Sequence, residues 1–242
     1  MRDWISSIKK DFIKTFITDD RWKYLWNGLG VTLRITFFAL ILGVVIGVVI
    51  AIVRSTHDKN IETMRPGVGR GLLKFFNGIC KLYLTVIRGT PVVIQLMIIY
   101  YVIFSSSNNG VLIGTLAFGI NSGAYVAEII RGGIMSIDNG QFEAGRSLGF
   151  NYVQTMSYII IPQAFKNVLP SLANEFIVLL KETSVAGYVA VNDLTKGGDI
   201  IRGITYISFM PLIAVAVIYL IMVIFFSKLV SILERRLRKS ER

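Results

Sequence analysis

Long apolar runs separated by short polar stretches set the pattern of this chain. A helix that crosses a bilayer needs about 20 mostly apolar residues. Segments 35–53 and 203–227 meet that length without one Asp, Glu, Lys or Arg. Three weaker segments, 82–104, 111–134 and 169–191, each carry ionisable residues. The pattern predicts an all-α membrane protein with five transmembrane helices, Arg34 lying just outside the first so that its stem reaches the interface. Gly43 and Gly47 form a small-xxx-small pair that fits close helix packing, and Gln95 fits an interhelical hydrogen bond. Ahead of the spans, Trp4, Ile5, Ile8, Phe12, Ile13, Phe16 and Ile17 recur at helical spacing, with Lys9, Lys10 and Lys14 on other faces. This reads as a retained amphipathic helix in the membrane interface, the alternative being a solvated tail. The expected organisation is an interfacial segment at 1–26, a transmembrane domain at 27–232 and a basic cytoplasmic tail at 233–242.

Composition agrees with lipid as the main solvent. Of 242 residues 53% are hydrophobic and 17% charged, against about 45–50% and about 25% in soluble domains. A disordered or collagen-like chain is excluded. One cysteine, Cys80, and one histidine, His57, cannot form an internal disulfide or a Cys/His zinc cluster, so no metal site is expected. They also make a poor nucleophile set, His57 being placed in a polar loop beside Asp58, and no catalytic residue is assigned. The net charge of +11 is spread between apolar runs, which suits phospholipid headgroups or an acidic protein surface rather than nucleic acid. With the C-terminus inside, the inner segments hold 14 Lys and Arg and the outer ones 8. The positive-inside rule then puts the N-terminus outside and the C-terminus in the cytoplasm, although the basic N-terminal stretch argues the other way.

Several polar residues cannot face lipid. Segment 169–191 holds Asn174, Glu175, Lys181, Glu182, Thr183 and Ser184, and each charge at a helix centre costs about 2.5–3.5 kcal/mol on insertion. Residues seven apart share a helix face, which aligns Glu175 with Glu182 and Asn174 with Lys181. Segment 111–134 repeats the idea through Asn121, Tyr125, Glu128 and Gly132. Such residues mark either a pathway or internal pairs, Glu128 with Arg131 being one such pair.

Residues 135–168 are too polar to cross and long for a plain connection. Asp138 with Gln141 resembles a capping box, Gly149 can end a helix in a left-handed conformation, and Asn151 can cap a second helix. Pro162 and Pro170 are expected to close the unit. Around Gly149, Phe142, Leu148, Phe150, Tyr152, Val153 and Met156 either offer a partner's groove an apolar face or pack on the chain's own spans.

Glu143, Ala144, Gly145, Gly149, Ile159, Ile161 and Pro162 fall at the spacing of a known motif. They resemble the EAA motif of permease subunits of ATP-binding cassette importers, with Gly145 in place of the second alanine and Ile161 in place of leucine. VIRGTPVVIQ at 86–95, NSGAYVAEIIRGGI at 121–134 and LLKETSVAG at 179–187 resemble the polar amino acid branch of that family. The resemblance implies a type I importer permease fold in a bacterial inner membrane. It implies a loop at about 138–167 that couples to ATPase subunits through Glu143, Ala144, Gly145, Arg146, Gly149, Ile159 and Pro162. A second permease subunit, identical or homologous, and an extracytoplasmic binding protein are the other implied partners. Asn121, Ser122, Glu175, Thr183 and Ser184 are expected along the amino acid route, with arginine, histidine or glutamine as candidate cargo. The chain itself has no G-x-x-x-x-G-K-[ST] run, and Gly67, Gly69 and Gly71 read as a flexible connector, so ATP and Mg²⁺ are expected on the partner subunit. A secondary carrier or channel working without an ATPase is the alternative, and five spans without an evident inverted repeat argue against the carrier.

Overall fold

The apolar segments expected from the sequence are mostly helical in the computed structural model, but the helices do not begin and end where the apolar runs do. The structure describes residues 2–62 and 64–239; the side chains of residues 2–5, 238 and 239, and with them the expectations for Trp4 and Ile5, lie outside the described residues. No strand occurs among the described residues. Helix α1 (Arg2–Phe12) runs through a π turn and a 3₁₀ turn into α2 (Trp22–Asn60). Ile8, Phe12, Ile13 and Ile17 are exposed while Phe16 is buried, so an apolar face is left uncovered, as an interfacial helix requires.

α2 is far longer than its apolar run. Its 39 residues span about 58 Å at 1.5 Å each, nearly twice the hydrocarbon thickness of about 30 Å. It therefore stands out of the membrane. Trp22, Tyr24 and Trp26 are exposed at its start, as in an aromatic belt. His57 and Asp58, expected in a loop, sit on its last turn with Nδ1 3.4 Å from Oδ1.

The second expected span is not one helix. α3 (Val68–Gly89) and α4 (Val92–Ile98, continued by a π turn to Ile103) meet at a 108° bend across Gly89, Thr90 and Pro91. Pro91 lacks a backbone N–H and pushes Thr90 into extended backbone, which ends α3. Gly69 and Gly71 lie inside α3 rather than in a connector, Gly71 N–H donating to Gly67 O at 3.1 Å.

α5 (Gly110–Met135) is continuous. It is followed by α6 (Asn139–Ser147) and α7 (Tyr152–Thr155), the latter passing through a π turn at Met156–Ile160 into α8 (Ile161–Glu182). Pro162 and Pro170 thus stand within helix and do not close the unit; the wide π turn just ahead of Pro162 absorbs the clash its ring makes in a regular helix. α8 ends at Glu182 in a 3₁₀ turn, Thr183–Val189. α9 (Leu194–Thr205) takes the residues expected to open the last span, and Tyr206 at φ 57° separates it from α10 (Phe209–Lys239). α2, α5 and α10 are long and apolar enough to cross a membrane, and the bent pair α3 and α4 would make a fourth. In its apolar window α5 is 61% buried and α10 only 17%. The more enclosed helix is therefore the one with the more polar sequence.

The chain divides into two compact units. In one (Met1–Ala39, Val92–Phe118, Ile177–Leu229), the start of α2 packs backbone to backbone on α9: a Cβ on Gly28 would lie 2.5 Å from Asp193 O, and one on Gly197 2.5 Å from Tyr24 O. Thr32 Oγ1 accepts from Leu194 N–H at 3.1 Å.

In the other (Leu40–Pro91, Gly119–Phe176, Val230–Arg242), α2 and α5 interlock through small residues on both sides. A Cβ on Gly43 would meet Ser122 Oγ at 3.0 Å and one on Gly47 would meet Val126 Cγ1 at 2.5 Å; reciprocally, Gly119 faces Leu42 and Gly123 faces Ile46 and Tyr83. The Gly43–Gly47 pair packs helices as expected, and Gly119-xxx-Gly123 answers it.

Overpacking such a contact costs about 1–3 kcal/mol. Gly47→Val is therefore expected to lower the melting temperature of the detergent-solubilised protein. Gly30→Ala, with nothing within 4 Å of its Cβ, is expected to raise it through about 0.8–1 kcal/mol of helix propensity.

Candidate coupling and substrate sites

α6 is held at both ends by its own sequence. Asp138 caps it by accepting from Gly140 N–H at 2.6 Å. The expected box with Gln141 does not form: Gln141 Oε1 instead accepts from Gln163 at 3.4 Å. At the other end Gly149 takes φ +79°, Phe150 N–H reaches Gly145 O at 3.0 Å and Gly149 N–H reaches Arg146 O at 2.9 Å. This is the paired C-terminal bond set that a left-handed residue permits. The full capping box sits one helix later, where Asn151 Oδ1 accepts from Gln154 N–H and Gln154 Oε1 from Asn151 N–H, both at 2.9 Å.

The glycine at 145 has a spatial reason. A Cβ there would lie 2.7 Å from Thr155 Cγ2 and 2.8 Å from Thr155 Oγ1. Thr155 is buried, and its Oγ1 has no hydrogen-bond partner among the described residues. Glu143, Ala144 and Arg146 stay exposed on α6 while Gly145 turns inward.

The apolar residues around Gly149 divide. Phe142, Ile159 and Met156 pack on a core of Ile134, Ile137, Ile160 and Ala164, whereas Leu148, Val153 and Tyr158 are exposed. Pro162 is exposed at the start of α8. A cavity of about 310 Å³ lies against α6, lined by Lys59, Asn60, Asn139, Phe142, Glu143, Arg146, Phe150, Tyr152 and Thr155.

Of the expected route residues, Asn121, Ser122 and Glu175 are buried in the same unit, and Ser122 Oγ donates to Glu175 Oε1 at 2.7 Å. Asn174 and Lys181 are exposed. Thr183 and Ser184 belong to the other unit. Thr183 is buried with its hydroxyl donating to Leu180 O at 2.9 Å. Ser184 lines a cavity of about 460 Å³ with Tyr188, Thr195, Lys196, Asp199 and Arg202. There Asp199 bonds both Lys196 at 3.3 Å and Arg202 at 2.5 Å, and the Arg202 hydrogen bond holds its carboxyl below the usual carboxylate range. Glu128 is paired with Arg131 at 3.2 Å, and Arg131 also reaches Asp58 at 3.4 Å.

Residues 67–239 match the family described as "Binding-protein-dependent transport system inner membrane component". The chain belongs to that family. This bears out the resemblance to importer permeases, and with the apolar helices it makes the chain a multi-pass inner membrane protein. Among its relatives, the arginine transport system permease protein ArtQ of Bacillus subtilis is 34% identical over 90% of this chain and 94% of that protein. The glutamine transport system permease protein GlnP of Escherichia coli is 37% identical over 67% and 76%. A crystal structure of an amino acid ABC transporter with histidines aligns at a TM-score of 0.79 with 42% identity, covering 91% of this chain and 98% of that one. The MetNI methionine ABC transporter, inward facing, shares the fold at a TM-score of 0.74 and 20% identity, over 89% and 97%.

In this inner membrane component the sequence reading missed Thr155 and Lys59. Thr155 lies ten residues beyond Gly145 with no periodic signal, and Lys59 meets α6 from 80 residues away.

Gly145→Ala gains helix propensity of about 0.8–1 kcal/mol but meets Thr155 at an overpacking cost of about 1–3 kcal/mol. It is therefore expected to lower hydrogen-exchange protection of residues 139–150, and adding Thr155→Ala is expected to restore it. A lowered carboxylate pKa gives stability that is present above the unfolded value and lost as pH falls through the folded one. The Asp199 cluster is accordingly expected to loosen below about pH 3.8, seen as faster proteolysis in the α9 region, and Asp199→Asn is expected to remove that step.

Proposed function

We propose that this chain is the membrane-spanning subunit of an ATP-driven importer of polar amino acids and is itself no catalyst. ATPase subunits, carrying ATP and Mg²⁺, dock on α6; a second permease copy or homologue completes the pathway; an extracytoplasmic binding protein delivers the cargo. The observation that carries the reading is α6 itself, a short helix fixed at both ends that turns Glu143, Ala144 and Arg146 outward. Its relatives named for arginine and glutamine transport support the choice of substrate class. α6 then lies in the cytoplasm, which agrees with a cytoplasmic C-terminus and an outer N-terminus.

In this account ATP binding closes the ATPases, and the docked α6 passes that movement to the membrane helices as rigid-body motion. Along the route, an amino acid needs acceptors for its ammonium and donors for its carboxylate. Glu175 supplies an acceptor held by Ser122 and suits a cationic side chain, and Asn121 adds a neutral polar group.

The test is uptake into vesicles holding the chain with its ATPase and binding protein. Uptake that needs ATP and fails with an ion gradient alone is expected; gradient-driven uptake without ATPase subunits would establish a secondary carrier instead. Gly149→Val forces a β-branched residue into a left-handed conformation at about 1–3 kcal/mol and is expected to lower transport about tenfold or more at equal assembly. Glu175→Gln removes a charge-assisted hydrogen bond of about 1.5–3 kcal/mol. It is expected to cut uptake of arginine at least about tenfold more than uptake of glutamine, measured by competition.

A further inference from the structure

A nine-residue helix such as α6 is too short to hold itself, since isolated helices below about 12–15 residues are marginal in water. Its orientation must come from contacts. The Asp138 cap, the Gly149 turn and the Gly145 contact with Thr155 are local, all made within residues 138–155. They fix the shape of the junction, and Phe142 packing on Ile134 and Ala164 and Gln141 accepting from Gln163 tie it to α5 and α8, but none of these reaches α2.

The tie to α2 is made by its own last turn. Lys59 Nζ donates to Asn139 Oδ1 at 2.8 Å and lies 4.4 Å from the centroid of the Phe142 ring. Asn139 and Phe142 are three residues apart and so share a face of α6. The ring has a cation on it and also packs on the core of Ile134, Ile137, Ile160 and Ala164. One residue earlier, Asp58 pairs with Arg131 on α5 at 3.4 Å. Lys59 is half-buried, whereas Lys74 and Lys81 on α3 are exposed. Because α2 is a single helix from Trp22 to Asn60, a displacement imposed at Lys59 moves a rod that continues through the membrane.

We propose that Lys59 is a positioning residue that clamps α6 to α2, so that movement of the docked helix reaches the first membrane helix through this cation. The proposal rests on the importer reading above. It touches neither nucleotide nor cargo. Its signature is therefore the number of amino acids transported per ATP hydrolysed, a ratio that lost cargo binding or slow hydrolysis alone does not define.

The experiment measures that ratio in vesicles holding the whole complex. The unmodified complex is read first, and absence of ATP-driven uptake there refutes the importer reading itself. Given that uptake, Lys59→Met keeps the stem and loses the cation, and is expected to lower the ratio about five- to tenfold, the lower range of coupling between distant sites. Lys59→Arg keeps a cation and donors and is expected to restore it. A parental ratio in Lys59→Met overturns the proposal, as does a ratio that Lys59→Arg leaves as low as Lys59→Met. Phe142→Leu retains an apolar side chain on the core but removes the ring face, and is expected to lower the ratio too. If the Lys59→Met complex fails to assemble, Phe142→Leu decides alone: a lowered ratio supports the clamp and an unchanged one overturns it.

Discussion

A charged group among hydrocarbon-facing helices costs about 2.5–3.5 kcal/mol at a helix centre, and the chain meets that constraint at Glu175 by burial while Asn174 and Lys181 of the same helix stay exposed. Glu175 is buried and takes the Ser122 hydroxyl at 2.7 Å. Ser122 can stand there because α5 approaches α2 through Gly119 and Gly123 on one side and Gly43 and Gly47 on the other. Small residues bring those two backbones together. α5 is correspondingly the most enclosed of the apolar helices, while exposed Leu212, Ile213, Val217, Leu220 and Ile224 leave α10 a broad apolar face. Such a face suits acyl chains, not water.

The same economy of side chains shapes the α6 junction. Replacing an alanine by Gly145 forfeits helix propensity of about 0.8–1 kcal/mol, and the space is filled by Thr155. Gly149 supplies the left-handed turn, and Asn151 starts the next helix with a reciprocal cap. These choices are local and mutually consistent, and they leave Glu143, Ala144 and Arg146 exposed.

What the sequence disclosed follows the range of the interactions concerned. Helical class, apolar segments, the Gly149 turn and the Asn151 cap arise from neighbours a few residues apart, and the Gly43-xxx-Gly47 spacing marks a packing face without naming its partner on α5. The bend at Gly89–Thr90–Pro91 was also written locally, but apolar length overrode the proline signal and merged α3 with α4. Pro162 misled in the opposite sense, because a π turn let the helix continue past it, and Pro170 stands within α8 with no such turn beside it. The expected Asp138–Gln141 box failed because Gln163, brought close by the return of the chain, engages Gln141. Lys59 against Asn139 and Phe142 was illegible for the same reason: only tertiary folding joins positions 80 residues apart.

The central claim is that a second, nucleotide-hydrolysing protein seats on α6, and covalent capture tests it most directly. With the single native cysteine removed by Cys80→Ser, a cysteine placed by Ala144→Cys on the exposed face of α6 can be cross-linked in native membranes at short range. The account predicts capture of an ATPase subunit from position 144 and none from a cysteine placed by Ile221→Cys on the apolar face of α10. Transport-competent membranes in which position 144 captures no ATPase would contradict it.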